Sequence, residues 1–100
     1  MTVAQRRVRG AVALRGDAYT VGVDSRVGVF SVLAMADAEG YLTAAEIGAA
    51  SLPLYAAYVA FDDATAVNDT VVWNGLSLTV KRVVDLRSRD TTVAKLLVLD

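Results

Sequence analysis

The pair Asn74-Gly75 stands between two runs in which apolar and polar residues alternate, VNDTVVW and LSLTVKRVV. A two-residue type I′ turn needs positive φ at both central positions, and Asn-Gly is the pairing that tolerates this best. Residues 67–86 therefore form a hairpin, with Trp73 opposite Leu76, Val71 opposite Leu78 and Asp69 opposite Val80. Side chains alternate along a strand, so Val71, Trp73, Leu76, Leu78 and Val80 share the face that makes the hairpin core. Thr70, Val72, Ser77, Thr79 and Lys81 take the other face, which is wet or at an interface. The alternation blurs in RVVDL, which predicts a bulge near Arg82.

More strands are readable on either side. TTVAKLLVL (91–99) is apolar on both faces except at Lys95, as expected of a strand deep in a sheet, and DLRSRD (85–90) before it reads as a polar turn. Upstream, GAVALRG (10–16) and YTVGVDS (19–25) read as two short strands around Gly16-Asp17. On that reading Arg15-Gly16-Asp17 is a tight turn, not a recognition tripeptide. VGVFSVLAMA (27–36) and LPLYAAYVAFD (52–62) complete the set, with Pro53 placed where a strand can start without losing a ladder hydrogen bond. About six strands at this spacing predict an all-β fold, a small antiparallel β-barrel or sandwich, as one domain over residues 1–100.

The exception is DAEGYLTAAEIGAAS (37–51). Thr43 and Glu46 have capping-box spacing and open an Ala-rich stretch, so a short helical turn is expected, with Gly48 ending it early. At 15 residues this insert is far longer than the ~2–5 of an ordinary hairpin loop, which makes it the segment most in need of a function.

Chemistry is hard to place on this chain. It has no Cys and no His, which removes disulfides, thiolate metal sites and the commonest general base and metal ligand. Ser25, Ser31, Ser51, Ser77 and Ser88 have no imidazole to activate them, and none lies in a nucleophile-elbow pattern. Lys81 or Lys95 could act as a base only if desolvated, and snorkelling or pairing with Asp is the competing state. Asp62-Asp63 is the only adjacent acid pair, but neighbours on a strand point to opposite faces, so a solvated strand end is expected in place of a Mg²⁺ or Ca²⁺ site. There is no Gly-rich phosphate loop. The expectation is a non-enzyme with no metal and no cofactor. The apolar runs reach about half of the ~20 residues that span a bilayer, and no apolar core precedes Arg15 to make a signal peptide, so no membrane association is expected.

Charge is unevenly spread. Residues 1–26 carry Arg6, Arg7, Arg9, Arg15 and Arg26 against two aspartates, a net +3. Residues 27–80 contain no Lys or Arg and carry Asp37, Glu39, Glu46, Asp62, Asp63 and Asp69, a net −6. Such segregation either steers a partner or a second copy, or is chance on a solvated surface. QRRVRG (5–10) could neutralise phosphates, yet Tyr19, Tyr41, Tyr55 and Tyr58 belong mostly to the apolar or acidic middle and not to a basic stacking face.

The segment YVAFDDATAVNDTVVWNGLSLTVKRVVDLRSRDTTVAKLLVL (58–99) resembles the end of the head-closure proteins of long-tailed bacteriophages, also called stoppers or head-tail joining proteins. The shared pattern is an acidic turn, Asp69-Thr70-Val71, the Asn74-Gly75 turn, the alternating strand Leu76 to Val80, Val84-Asp85, and the last apolar strand Val93 to Leu99. Leu78 stands where that family often has Tyr, and the family commonly has a longer N-terminal segment. The resemblance implies a β-barrel in a homo-oligomeric ring, a hexamer or dodecamer, in the virion neck. The portal and adaptor would lie above it, and the tail terminator and tail tube below. It implies assembly in the host cytoplasm and passage of genomic DNA without sequence-specific binding. The family's insert between central strands reaches toward the channel, which would make Asp37, Glu39, Tyr41 and Glu46 a plug loop whose acidity repels phosphate. Arg6, Arg7, Arg9, Asp62 and Asp63 would then serve contacts between subunits or with the adaptor. Two other readings stay open: a tail-terminator or other neck ring protein, and a small β-barrel module that binds nucleic acid or protein.

Overall fold

The computed structural model describes Met1–Asp100. Six antiparallel strands close into a barrel in the order β1-β2-β3-β6-β5-β4, with β4 returning to β1. The strands are β1 (Asp17–Val21), β2 (Asp24–Val32), β3 (Tyr55–Ala60), β4 (Thr70–Trp73), β5 (Leu76–Ser88) and β6 (Thr91–Leu99). Every strand has a neighbour on each side, although residues 82–88 of β5 pair only with β6 and residues 29–32 of β2 only with β3. The expected all-β barrel is what the chain forms.

The hairpin has the expected register, Val71 against Leu78 and Trp73 against Leu76, and Asn74 and Gly75 have φ of 50° and 77°. Its inward face feeds the main core. Val71, Leu78 and Val80 are buried there with Tyr19, Ala57, Val59, Leu97 and Leu99. Trp73 is half-buried, stacked on Phe30 with ring centres 4.5 Å apart and edge-on to Tyr55 at 5.8 Å. Leu76, next to the turn, stays 40% exposed.

β5 is long because it serves two neighbours. Its first residues pair with β4, and from Val80 onward it pairs with β6. The register shifts between Val80 and Arg82, so Lys81 is the extra residue of a bulge, one position from the expected site. Past the bulge Val83 faces inward, while Arg82 falls opposite Val98 on the outer wall. The strand then continues through most of DLRSRD to Ser88, and the turn is only Arg89-Asp90, with Arg89 at φ 58°. A polar segment at a barrel rim can be strand, since both of its faces reach water there.

The N-terminal expectation fails. Residues 10–16 are not a strand: Val3–Arg15 form helix α1, capped at Thr2. Thr2 Oγ1 accepts from the Gln5 N–H at 3.1 Å while Gln5 Oε1 accepts from the Thr2 N–H at 2.8 Å. That reciprocal cap, together with Ala, Arg and Gln in the turns behind it, outweighs the strand-like alternation of GAVALRG. Arg15-Gly16-Asp17 is therefore a helix-to-strand junction, and the turn between the first two strands is Gly22-Val23. The strand expected over 27–36 ends at Val32 and gives way to helix α2 (Met35–Ala38).

The insert carries α2 and α3 (Ala44–Ala49) between β2 and β3. The Thr43/Glu46 capping box forms as expected, and α3 runs one residue past Gly48. Ala38 and Leu42, four apart and so on one face, are buried with Leu54 and with Val98 of β6. The insert is a folded flap on the outer wall of its own barrel, not a loop reaching away from it.

Candidate functional site

Two elements cover the same side of the barrel. Helix α1 packs against β2, β3 and β6, and the insert packs on the wall around Val98. The polar side chains that hold each in place are few. Gln5 Nε2 donates to the Thr92 carbonyl at 2.9 Å, and Arg9 pairs with Asp62 while its guanidinium lies 5.3 Å from the Phe61 ring centre. On the insert, Arg82 Nη2 donates to both carboxylate oxygens of Glu46, and the Ser51 N–H donates to Asp100 Oδ2 at 3.2 Å.

Neither cover fills its seat. Val12 is the only buried residue of α1. Beside it an apolar groove of about 410 Å³ runs between the helix and the wall, lined by Val8, Ala11, Val12, Val29, Tyr58, Leu86, Val93 and Ala94, with Arg15 its one charged residue. A second groove of about 260 Å³ lies against the insert, where Asp37 and Tyr41 meet Ser31, Leu33, Tyr58 and Leu96. Tyr58 borders both and is 45% exposed.

At the end of the barrel near the Gly22-Val23 turn, the segment between β3 and β4 folds inward as a polar stopper. Asp63, with its side chain 6% exposed, accepts from the Tyr19 hydroxyl, from the Thr65 hydroxyl at 2.6 Å and from the Thr65 N–H at 2.9 Å. Arg26 Nη1 donates to Thr65 Oγ1 at 2.6 Å, and Lys95 Nζ donates to the Asp63 carbonyl at 3.0 Å. Burial, and then the Asp63 carboxylate that accepts its proton, push the Tyr19 hydroxyl far above its ordinary range. Every member has a partner, so the network acts as a fixed closure of the barrel mouth.

The structure separates the residues expected to act together. Asp62 and Asp63 lie in the segment after β3 and face apart, one toward Arg9 on the surface and the other into the network. Arg9 is taken up within the chain, while Arg6 and Arg7 are exposed without an ionic partner. Of the four insert residues, Asp37 and Glu39 are exposed, Tyr41 is half-buried on the second groove, and Glu46 is committed to Thr43 and Arg82. The Thr43 N–H first, and the Arg82 guanidinium after it, hold the Glu46 carboxyl below its ordinary range.

Sequence reasoning missed the first groove and Arg15 on it because they need residues 3–15 to be a helix, and the second groove, shared with Tyr58, because it needs the insert docked on the wall. The reciprocal spacing of Thr2 and Gln5 was the available signal. No helix is long and apolar enough to cross a membrane. No family model matches the chain, and neither a curated protein nor a solved structure does.

Proposed function

We propose that this chain is a structural connector of a phage neck, a head-closure protein that assembles as a ring below the portal and adaptor. The observation that carries the reading is the closed six-stranded barrel interrupted between β2 and β3 by a folded, acidic insert. That is the architecture and the kind of insertion implied by the resemblance over residues 58–99. A closed barrel suits a building block, because most of its backbone pairing is used internally and neighbours are chosen chiefly by side chains. Asp37 and Glu39 stand exposed on the insert and form no ion pair, a surface from which DNA phosphates are repelled. In this reading the chain takes no cofactor and performs no catalysis, and the genome passes through the ring without being read.

A second reading is supported by the way the insert lies. Because Ala38 and Leu42 are buried against Leu54 and Val98, the flap is held on its own barrel wall. That suits a ring with a flat edge, as in a tail terminator, better than a gate. Electron microscopy of this protein mixed with portal–adaptor complexes separates the possibilities. A new layer below the adaptor with density across the lumen is the head-closure result, and a layer with an open lumen is the terminator result. No added layer would overturn both.

A further inference from the structure

Ion pairing within the chain removes most of its charges from consideration. Arg9 pairs with Asp62, Arg26 with Asp24 and Asp63, Lys81 with Asp100, and Arg82 with Glu46. Asp17 and Asp69 accept from the Trp73 indole and the Ala66 N–H, and Lys95 donates to the Asp63 carbonyl. Around the β5–β6 turn Arg87 and Arg89 stand beside Asp85 and Asp90 in the chain, so that turn has no net charge, although none of the four forms an ion pair. The remaining five charges are segregated by sign on two elements: Arg6, Arg7 and Arg15 on α1, and Asp37 and Glu39 on the insert.

Their setting is apolar in both places. On a helix, Arg7, Ala11, Leu14 and Arg15 form one row beside Val8 and Val12, which face the barrel. Ala11 and Arg15 of that row line the larger groove, Arg7 stands one turn before Ala11 on the same row, and Leu14 is 84% exposed. On the insert, Met35 is 44% exposed and lies one turn from Glu39, whose N–H donates to the Met35 carbonyl. One surface is a groove with a cationic rim, and the other is an apolar side chain flanked by carboxylates.

We propose that the groove beside α1 receives the α2 end of a second copy of this chain, with Met35 in the groove and Asp37 and Glu39 against Arg7 and Arg15. The contact joins two different surfaces, and it repeats head to tail where each copy offers its insert to a third copy and not back to the first. The apolar groove alone would fit many occupants; the complementary unpaired charges select this one and set its register. Closure of the chain of contacts into a ring rests on the connector reading above, whereas the contact itself does not.

Charge reversal in the full-length chain tests this. One variant carries Arg7→Glu with Arg15→Glu, the other Asp37→Lys with Glu39→Lys. None of these residues has an ionic partner in its own chain, so both variants fold; the midpoint falls slightly in the first, because Arg15→Glu puts an anion in the last turn of α1. Self-association, read by sedimentation at high concentration and low salt, falls by about tenfold or more in each variant alone, because like charges then face each other. In an equal mixture it returns, since each variant's insert now complements the other's groove. Because the chain has no Cys, Arg15→Cys and Glu39→Cys copies can also be mixed and oxidised, and the mixed product should exceed either self-pair. Wild type and mixture that both stay monomeric, or random disulfide pairing, would overturn the contact. If the wild type adds a layer to portal–adaptor complexes and the reversal variants add it equally well, the contact falls and the neck reading stands. If the mixture assembles but the wild type adds no layer, the contact stands and the neck reading falls.

Discussion

Arg82 Nη2 sits 2.7 and 2.9 Å from the two carboxylate oxygens of Glu46, and this pair fastens the insert to β5. Glu46 also accepts from the Thr43 N–H at 2.9 Å, so one carboxylate both caps α3 and anchors the flap. Its folded pKa is depressed, which fixes the sign of the pH effect. The stabilisation is present above the unfolded carboxylate value and is lost as pH falls through the lower folded value. Both side chains are more than a third exposed, so the effect is confined to the insert and weakens with salt. Hydrogen exchange at residues 41–50 should therefore accelerate at acid pH, beyond its intrinsic pH dependence, while barrel amides keep their protection. Glu46→Gln should reproduce the change at neutral pH; unaltered protection there would rule the anchor out.

The insert's other anchor is apolar. Leu42 is 5% exposed and packs with Ala38, Leu54 and Val98. Leu42→Ala leaves a cavity at that junction and should cost ~2–4 kcal/mol of insert docking. Cleavage by a protease within residues 37–51 should rise steeply, with a smaller change in global unfolding than Leu97→Ala produces in the barrel core. Equal losses of global stability would mean that flap and barrel unfold as one unit.

These two anchors show why the insert was only half legible. The Thr43/Glu46 spacing announces a local helix, because a capping box is a contact between near neighbours. The docking of Ala38 and Leu42 depends on Leu54 and Val98, and no local pattern carries that pairing. The same division runs through the barrel. The Asn74-Gly75 turn and the alternation around it gave register and inward face, since φ preference and period are local properties. Helix α1 was misread because the aliphatic residues of 10–16 alternate enough to mimic a strand, and only the Thr2/Gln5 cap distinguishes the two. With α1 misplaced the first groove and the position of Arg15 on it could not be seen, and without the docking of the insert neither could the second. Arg9, Asp62 and Asp63 were expected at contacts between subunits or with the adaptor; within the chain Arg9 pairs with Asp62, and Asp63 joins Tyr19, Thr65 and Arg26.

Tyr19 links the interior to the polar stopper. Its hydroxyl donates to Asp63 and lies 3.1 Å from Thr65 Oγ1, while its ring meets Phe30 edge-on at 5.5 Å. Tyr19→Phe keeps the ring and leaves one Asp63 oxygen short of a donor, a loss of ~1–3 kcal/mol in urea unfolding. The raised pKa gives a second reading of the same bond. The neutral hydroxyl is the favoured form, so its stabilisation is complete below the unfolded value of ~10 and is lost as pH rises beyond it. In an alkaline titration followed by tyrosinate absorbance, Tyr19 should be the last of the four tyrosines to ionise and should do so as the barrel unfolds. Early ionisation of all four would contradict the network.

Two glycines of the N-terminal segment predict opposite outcomes for one substitution. Gly10 lies inside α1 with nothing within 4 Å of where a Cβ would stand. Gly10→Ala should therefore stabilise by about 0.5–1 kcal/mol, the helix-propensity difference with no packing cost. Gly16 ends the helix at an ordinary φ of −82°, so its backbone conformation does not demand glycine. Space does. A Cβ there would lie 2.5 Å from the Val12 carbonyl oxygen, 2.6 Å from Val27 Cγ1 and 2.9 Å from the Gly28 carbonyl oxygen. Two of these atoms are backbone and cannot rotate away, so the end of α1 must lift from β2. Gly16→Ala should cost ~1–3 kcal/mol, the range for overpacking, and loosen the helix while β1, starting at Asp17, keeps its pairing with β2. Limited proteolysis reads the difference: cleavage within residues 1–15 rises in Gly16→Ala and falls in Gly10→Ala. Because Arg15 is the residue just before Gly16, the same lift displaces the cationic rim of the groove. Gly16→Ala should then weaken self-association with no change in charge, while Gly10→Ala leaves it at the wild-type level.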